Sequence, residues 1–563
     1  MTVDIEKIYM ADFETTTDIN DCRVWGACVY KMDVCSCVHL SNNIDEFMSF
    51  ASKLKNGSLI YFHNLKFDGK FILSWLMLNG FVYSEDTKIN KSFRTIITDS
   101  GQWYQIDVTF KVTGVKRKIS HRISFQDSLK KLNFPVRKIA EMFELPISKG
   151  DIDYDTYRPV GHVLTEEEIS YIMRDVEIVT RGLQLQYSTG LNKMTTSSDA
   201  LSSYKQSIGG ESQFLKLFPV LTISQDSMIR KAYKGGWTYL KKGYSGKIIG
   251  NGCAYDVNSL YPSVMYNEFL PYGYPKSFDG EYVYNETYPL FIQFMSCQFK
   301  LKNNHLPCIQ IKNSGRFVET EYLTSSGGES VDLVVTSIDL KLYMEHYDFY
   351  NVEYHGGYMF KGKFGLFKSY IDYWSEIKIK STGGLRQQAK LMLNSLYGKF
   401  ATSPERQKKV PYLDGDIVKY RLSSDVEIVD PIYTAMACFI TAYSRDKTIR
   451  TAQSVFDRFI YADTDSIHLI GYDVPDIDIH ESRLGAWKHE GNFTKAKFIR
   501  AKTYMEHYEG AKKPEVKCAG LPDVCKENVT FENFKQGSKF YGKLAPKTVK
   551  GGVVLVETEF TIK

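Results

Sequence analysis

Two short apolar runs, Phe459-Ile460 and Ile467-His468-Leu469-Ile470, flank Tyr461-Ala462-Asp463-Thr464-Asp465-Ser466, and the pattern reads as a β-hairpin with acids at its tip. Alternation along extended backbone turns Asp463 and Asp465 to one face. Two carboxylates held that close repel each other unless a cation lies between them. Magnesium prefers a few carboxylates plus substrate phosphates, so it suits such a tip. The bland alternative is ordinary turn chemistry, in which Asp bonds its own backbone.

A partner acid lies upstream. In Cys253-Ala254-Tyr255-Asp256-Val257-Asn258-Ser259-Leu260-Tyr261-Pro262-Ser263 a strand-like start runs into Asp256 and a turn. Asp256 or Ser259 could cap a helix that begins at Leu260. Alternatively Asp256 is a third carboxylate, so that two metal ions about 3.5–4 Å apart can serve an in-line attack on phosphorus. The backbone amides that follow it are then expected to face a nucleotide triphosphate. Between these segments, Leu385, Ala389, Met392 and Leu396 form the apolar stripe of a helix, with Arg386, Lys390, Asn394 and Tyr397 on the opposite stripe and Gly398 as its stop. Two cations, an amide and an aromatic in file suit phosphates, a base and a sugar.

DVNSLYP, KLMLNSLYG and YADTDS, in that order, resemble motifs A, B and C of family-B DNA polymerases, in the wording of the protein-primed enzymes of small tailed Bacillus phages. The resemblance implies that Asp256, Asp465, Asp463 and the Val257 carbonyl hold two magnesium ions, with manganese able to substitute. Lys378 and Lys390 then bind the incoming triphosphate, Tyr261 packs under the sugar, and Tyr397 lies against the nascent pair beside Asn394. Tyr233-Lys234-Gly235-Gly236 is similar to the YxGG element that grips the template. Arg445, in Thr441-Ala442-Tyr443-Ser444-Arg445, matches a template contact, and Lys502-Thr503-Tyr504 matches the primer-stabilising KxY motif; Arg386 joins them as a DNA contact. The segment Tyr504 to Lys517 looks trimmed relative to the family.

The N-terminal third carries a second set of acids. Asp12 and Glu14 share a strand face, Asp68 follows an apolar strand ending in His63-Asn64, and Thr165-Glu166-Glu167-Glu168 is a capping box opening a helix with Tyr171 and Asp175 four apart. These segments resemble the three motifs of the 3′–5′ proofreading exonuclease of the family. By that resemblance Asp12, Glu14, Asp68 and Asp175 bind two further metal ions, Tyr171 orients the attacking water, Lys149 is an electrostatic helper and Asp151 an outer metal contact or a turn residue. His63, Asn64, Phe67, Ser128 and Leu129 match positions that hold a frayed single strand. The basic run Lys116-Arg117-Lys118 with His121-Arg122 is solvated surface or a DNA contact whose strength falls with salt.

The implied architecture is α+β and multidomain. It comprises a ribonuclease-H-like 3′–5′ exonuclease domain over 1–195, and a right-hand polymerase with palm over 196–267 and 434–518, fingers over 366–401 and thumb over 519–563. Two insertions occupy 268–365, read as short strands and turns that contact a terminal protein, and 402–433, read as a β-hairpin for strand displacement. Lys535, Lys539, Lys543, Lys547 and Lys550 recur without an acid, and Gly537, Gly542 and Pro546 favour a basic β-rich thumb over a helix.

Composition sets outer bounds. A chain of 563 residues with 43% hydrophobic and 24% charged residues is ordinary for a soluble multidomain protein, and its 14% aromatic share suits stacking on bases as well as core. A net charge of +5 does not by itself demand a polyanion partner. The first residues lack a signal-peptide pattern and no apolar run approaches a membrane span, so the expected location is the cytoplasm of an infected bacterium. Ten cysteines are expected as reduced thiols, and Cys22, Cys28, Cys35 and Cys37 match no zinc spacing. Expected partners are template and primer DNA, dNTPs, a terminal protein and a phage single-stranded DNA-binding protein, with the enzyme a monomer. Competing readings are a primer-only polymerase, a nuclease with a DNA-binding scaffold, and a non-catalytic replication protein.

Overall fold

The computed structural model describes residues 4–114, 117–148, 150, 152–154, 156–310 and 322–563. Its first sheet runs in the order Ser36–Ser41, Val24–Lys31, Ile8–Thr15, Ser58–Phe62, Ile119–Asp127, Trp103–Thr113, Ser92–Ile97, Val82–Tyr83. Strand alternation splits Ile8–Thr15 between two cores. Tyr9, Ala11 and Phe13 pack with helices Ile44–Lys53 and Leu65–Leu78, whereas Ile8 and Met10 face the helix Glu166–Ser188. Asp12 and Glu14 continue this second row. The capping box is present: Thr165 Oγ1 accepts from the Glu168 amide and the Glu168 carboxylate accepts from that of Thr165.

The second sheet runs Glu515–Cys518, Thr503–Tyr508, Trp487–Arg500, Gly252–Val257, Ser466–Ile470, Phe459–Asp463, Thr238–Leu240, with Ile248–Ile249 also on Trp487–Arg500. Behind it lies the helix Thr434–Ser454, whose Ala435 to Ile440 are all sealed in the core. A third sheet, Leu270–Phe278, Tyr347–Lys363, Leu290–Leu301, Val331–Thr336, occupies the stretch between the first two motifs. Its strands of 12 and 17 residues correct the expectation of short ones. Gly356 and Gly357, which look like breakers, sit inside the longest strand at a register irregularity. Asn313, Ser314 and Gly315 lie outside the described residues.

The sequence predicts helices over 371–380 and 385–397 joined by a turn at Ser381-Thr382-Gly383-Gly384. Helices Lys368–Lys380 and Gly383–Ser395 do pair, but Gly383 and Gly384 begin the second helix instead of joining the turn. Gly398 is no stop: the helix breaks at Leu396 and a further turn, Tyr397–Phe400, contains the glycine. Two ribbons complete the chain, Glu405–Asp414 with Ile417–Ile428 and Lys539–Val549 with Gly552–Thr561. The first leans on the N-terminal sheet through Tyr420 on Trp103, ring centroids 5.7 Å apart, and meets the second through Asp416 and Lys550 at 2.7 Å. All ten cysteines are free thiols. No helix among the described residues is long and apolar enough to cross a membrane.

Candidate active sites

The strand Gly252–Val257 is hydrogen-bonded directly to Ser466–Ile470, with Asp256 opposite Ser466. The Val257 amide donates to the Asp465 carbonyl at 2.7 Å. Asp256 therefore stands one strand away from the hairpin tip. The tip itself closes on two residues, Thr464 and Asp465, with Thr464 in the left-handed region at φ 64°. The two acids meet around a turn, not by alternation along one strand.

Burial is the main reason the Asp256 carboxyl is pushed up to about 7, with Asp465 and Glu490 adding to it and His468 and Lys488 easing it. Asp465 is also raised, by burial first, with its own backbone opposing, Asp463 adding and Lys502 opposing. Asp463 accepts from Thr238 Oγ1 at 3.1 Å and lies 3.2 Å from Lys502 Nζ. Among the described residues no three His, Cys, Asp or Glu side chains gather tightly enough to cage an ion alone. Two half-buried carboxylates with a third beside them nevertheless suit magnesium, which completes its shell with substrate phosphates. The amides of Val257 and Asn258 are taken by the carbonyls of Asp465 and Ala486, which corrects the expectation that they face a triphosphate. The first turn of helix Leu260–Asn267 remains, and neither Asp256 nor Ser259 caps it through a side chain.

An aromatic pair stands near Asp465, and cationic groups gather on the paired helices. Tyr261 and Tyr397 stack with centroids 3.9 Å apart, and burial, with the Asp465 charge adding, raises the Tyr397 hydroxyl. Tyr233 lies near Tyr397, its hydroxyl raised by burial first. On the paired helices, burial lowers the Lys378 ammonium, and the Lys390 and Arg386 charges lower it further. Arg386 donates to the Lys378 carbonyl at 2.7 Å, while Lys390 and Asn394 are exposed. Leu385, assigned to the apolar stripe, is exposed, whereas Ala389, Met392 and Leu396 are sealed.

Arg445 is a correction. It is only 3% exposed, forks onto Asp339 at 2.8–2.9 Å, and donates to the carbonyls of Lys234 and Gly235, each at 2.8 Å. No surface of it is left for a template strand; it instead fixes the backbone of the Tyr233–Gly236 segment. A Cβ on Gly236 would lie 2.6 Å from Thr464 Cγ2, so this glycine lets the segment press against the hairpin tip, while Gly235 faces open space. Lys502, expected on primer, has its amide on the Tyr461 hydroxyl at 2.8 Å, and Tyr504 stacks on Phe498 at 5.4 Å.

The N-terminal acids converge from one strand and two helices. Glu14, Asp68 and Asp175 are 5%, 3% and 4% exposed, and Asp12 is half-buried. Burial holds the Asp68 carboxyl well above the usual range, with Asp12, Glu14 and Asp127 adding to it. The Tyr171 hydroxyl is raised by burial, by its 2.6 Å bond with Tyr154, and by Glu14 and Asp175. Repelling buried acids beside a tyrosine form a site that a cation would relieve. Lys149 and Asp151, and Lys116 of the basic run, lie outside the described residues; Arg117, Lys118 and Arg122 are exposed. Asn64 is exposed and Phe67 and Leu129 are half-exposed. Ser128, expected on a frayed strand, is instead fully buried and donates to the Phe62 carbonyl at 3.1 Å. His63 has one ring nitrogen 3.0 Å from Ser128 Oγ and the other 2.7 Å from the Phe134 carbonyl, so its ring is tied into the fold.

A family model described as DNA polymerase type B, organellar and viral, matches residues 52–484. The chain belongs to the viral type B DNA polymerases. It is 49% identical to the DNA polymerase of Bacillus phage PZA over 99% of this chain and 100% of that one. Among solved structures it resembles phi29 DNA polymerase complexed with primer-template DNA and incoming nucleotide substrates, at TM-score 0.93 and 47% identity, covering 99% of this chain and 100% of the other. The similarity to the Streptococcus phage Cp-1 DNA polymerase is 34% identity over 99% and 98% of the two chains.

Two acids of this polymerase escaped the sequence reading. Asp127, 3% exposed, accepts from the amides of Asn64 at 3.0 Å, Leu65 at 3.3 Å and Leu129 at 3.0 Å, and so seats the helix that carries Asp68. An Asp directly before Ser128-Leu129 was the available signal. Asp339, the partner of Arg445, had none, because the two lie 106 positions apart.

Proposed function

We propose that this polymerase is a replicative, protein-primed DNA-directed DNA polymerase, processive and strand-displacing, with a 3′–5′ proofreading exonuclease in the N-terminal sheet. The observation that carries the reading is the direct pairing of the Asp256 strand with the Asp463–Asp465 hairpin, with the Tyr261–Tyr397 stack near Asp465. The second sheet then serves as palm, the helices Lys368–Lys380 and Gly383–Ser395 as fingers, and the ribbon Lys539–Thr561 as thumb.

Two magnesium ions, when bound, lower the pKa of the attacking hydroxyl and neutralise the leaving pyrophosphate. The chain's residues do the positioning. Asp256, Asp465 and the Val257 carbonyl are the donors, with Asp463 assisting. Lys390 and Lys378 bear the phosphate charge of a dNTP, and the Tyr261 ring packs under its sugar, where a 2′-hydroxyl has no room. Template and primer lie along Gly235, Arg386, Lys502 and Tyr504. In the nuclease site Asp12, Glu14, Asp68 and Asp175 hold the ions, Tyr171 orients water, and Asn64, Phe67 and Leu129 receive a frayed 3′ end. The four-stranded sheet between the motifs is the surface for a terminal protein, whose side-chain hydroxyl starts the first strand, and the ribbon Glu405–Ile428 helps enclose DNA.

The test is extension of a primed single-stranded circle with magnesium and dNTPs and no accessory protein. Product longer than one circumference is expected; no extension sinks the polymerase reading. Incubation with the cognate terminal protein and labelled dATP should give a labelled protein, and its absence favours a primer-only enzyme.

A further inference from the structure

Strands Ser466–Ile470 and Thr503–Tyr508 are separated in the second sheet by Gly252–Val257 and Trp487–Arg500, so no backbone ladder joins them. Their side chains nevertheless meet. His468 and Glu506 are 3% and 2% exposed, and His468 Nδ1 lies 2.7 Å from Glu506 Oε1. The sheet therefore curls enough to bring side chains of these two strands together across the pair between them. The other carboxylate oxygen, Oε2, accepts from the Tyr508 hydroxyl at 2.9 Å. An ionised carboxylate can only accept, so Nδ1 is the donor when Glu506 carries its charge. Its other nitrogen, Nε2, is buried without a hydrogen-bond partner, and the ring sits 5.3–5.4 Å from those of Tyr461, Phe498 and Tyr504.

A polar bond sealed in an aromatic chamber is a costly way to hold two strands together, since apolar side chains of similar volume would be no less stabilising. What the bond supplies is one fixed relation between its ends. One end is three residues past Asp465. The other is four residues past Lys502, whose amide donates to the Tyr461 hydroxyl at 2.8 Å and whose Nζ lies 3.2 Å from Asp463. We propose that His468 and Glu506 are positioning residues for synthesis, a buried latch that holds the Lys502–Tyr504 segment in register with the hairpin acids. The inference rests on the polymerase reading, in which that segment grips the primer end. With the latch released, the 3′ terminus wanders from Asp256 and Asp465 and is surrendered more readily to the nuclease site.

The experiment compares the full-length parent with Glu506→Ala, Glu506→Gln and His468→Gln, using a primer–template duplex, dNTPs and magnesium. Glu506→Ala is expected to raise KM for the duplex by about tenfold, more than it lowers kcat, and to raise the ratio of excised to added nucleotides by a similar factor. Degradation of a single-stranded oligonucleotide should stay within about twofold of the parent, because that site is on another sheet. Glu506→Gln, which keeps a hydrogen-bonding group against His468 and Tyr508, should restore most of the loss. An unchanged KM and ratio in folded Glu506→Ala overturns the latch, as does an equal loss in the Ala and Gln variants. Should Glu506→Ala not fold, His468→Gln decides by the same two readouts. Failure of the parent to extend the primer would instead reject the polymerase reading.

Discussion

Glu14 on the N-terminal sheet and Asp68 and Asp175 on two helices packed against it are all but sealed, whereas Asp256, Asp463 and Asp465 crown adjoining strands of the second sheet and stay half-buried. With the half-buried Asp12, the first group brings four carboxylates of its own, from a strand and two helices. The second brings three, and one of these leans on Lys502. A site that hydrolyses one end of a strand can carry most of its metal donors. A site that joins a nucleotide must leave positions for the phosphates of that nucleotide, so fewer acids and more access are what its chemistry needs. On the proposed reading, the difference in burial is a difference in which partner would complete an ion's shell.

That contrast breaks most sharply at single acids. Asp256→Asn or Asp465→Asn should lower primer extension by ~10³-fold or more, with excision of single-stranded DNA unchanged. A parallel fall in excision would show that the two acid groups do not act independently. Asp68→Asn should do the reverse, lowering excision by ~10²-fold or more while extension persists. Its second consequence sharpens the comparison. Because burial and neighbouring acids hold the Asp68 carboxyl high, the charged form opposes folding at neutral pH when no metal is bound. The Asn variant should therefore melt above the parent in a chelator, and a lower Tm would contradict the electrostatic picture.

The half-open site has a pH signature. The Asp256 carboxyl, at about 7, must lose its proton before it can serve as a metal donor. Synthesis should fall by about tenfold for each pH unit below about 7, and raised magnesium should carry the midpoint toward acid. The stability sign is opposite to that of a salt-bridged acid. A folded-state pKa above the ordinary value of 3.8 contributes stability that is fully present below 3.8 and is lost as pH rises through about 7. A midpoint that ignores magnesium would mean that the titrating group is not a metal donor.

How much of this was legible beforehand follows the range of the interactions. The strand-borne acids Asp12 and Glu14, the capping box at Thr165, the two-residue ribbon turn at Gly415-Asp416 and the paired helices are local patterns, and the sequence carries them. The Arg445–Asp339 fork, the seat that Asp127 makes for the Asp68 helix and the burial of Ser128 are decided by residues far away in the chain. A motif therefore marked Arg445 and Ser128 as functional without showing that each acts by holding neighbouring backbone in place. The hairpin tip is intermediate: its residues were evident, but the left-handed Thr464 was not, because a β-branched residue seldom adopts that conformation.

The smallest expected effects lie in two glycines, one at each site, and they separate crowding from chemistry. A Cβ on Gly26 would come 2.8 Å from Ile172 Cδ1 and 3.4 Å from Glu14 Cβ. The nearer atom is the free end of a side chain that can rotate away, so Gly26→Ala should cost about 1 kcal/mol and leave excision within a few-fold. A Cβ on Gly236 would meet Thr464 at 2.6 Å from Cγ2, 2.7 Å from Oγ1 and 3.0 Å from Cβ. A stiff β-branched side chain on a left-handed turn cannot swing aside. Gly236→Ala must therefore push the tip outward, and with it Asp463 and Asp465. Extension should fall by about tenfold, with a stability loss of about 1–3 kcal/mol. Thr464→Gly removes the obstructing atoms and tolerates the positive φ, so the double variant should recover most of the extension lost by Gly236→Ala. If it recovers stability but not extension, Thr464 has a role in the reaction beyond filling space, and the hairpin tip is more than a bracket for its two acids.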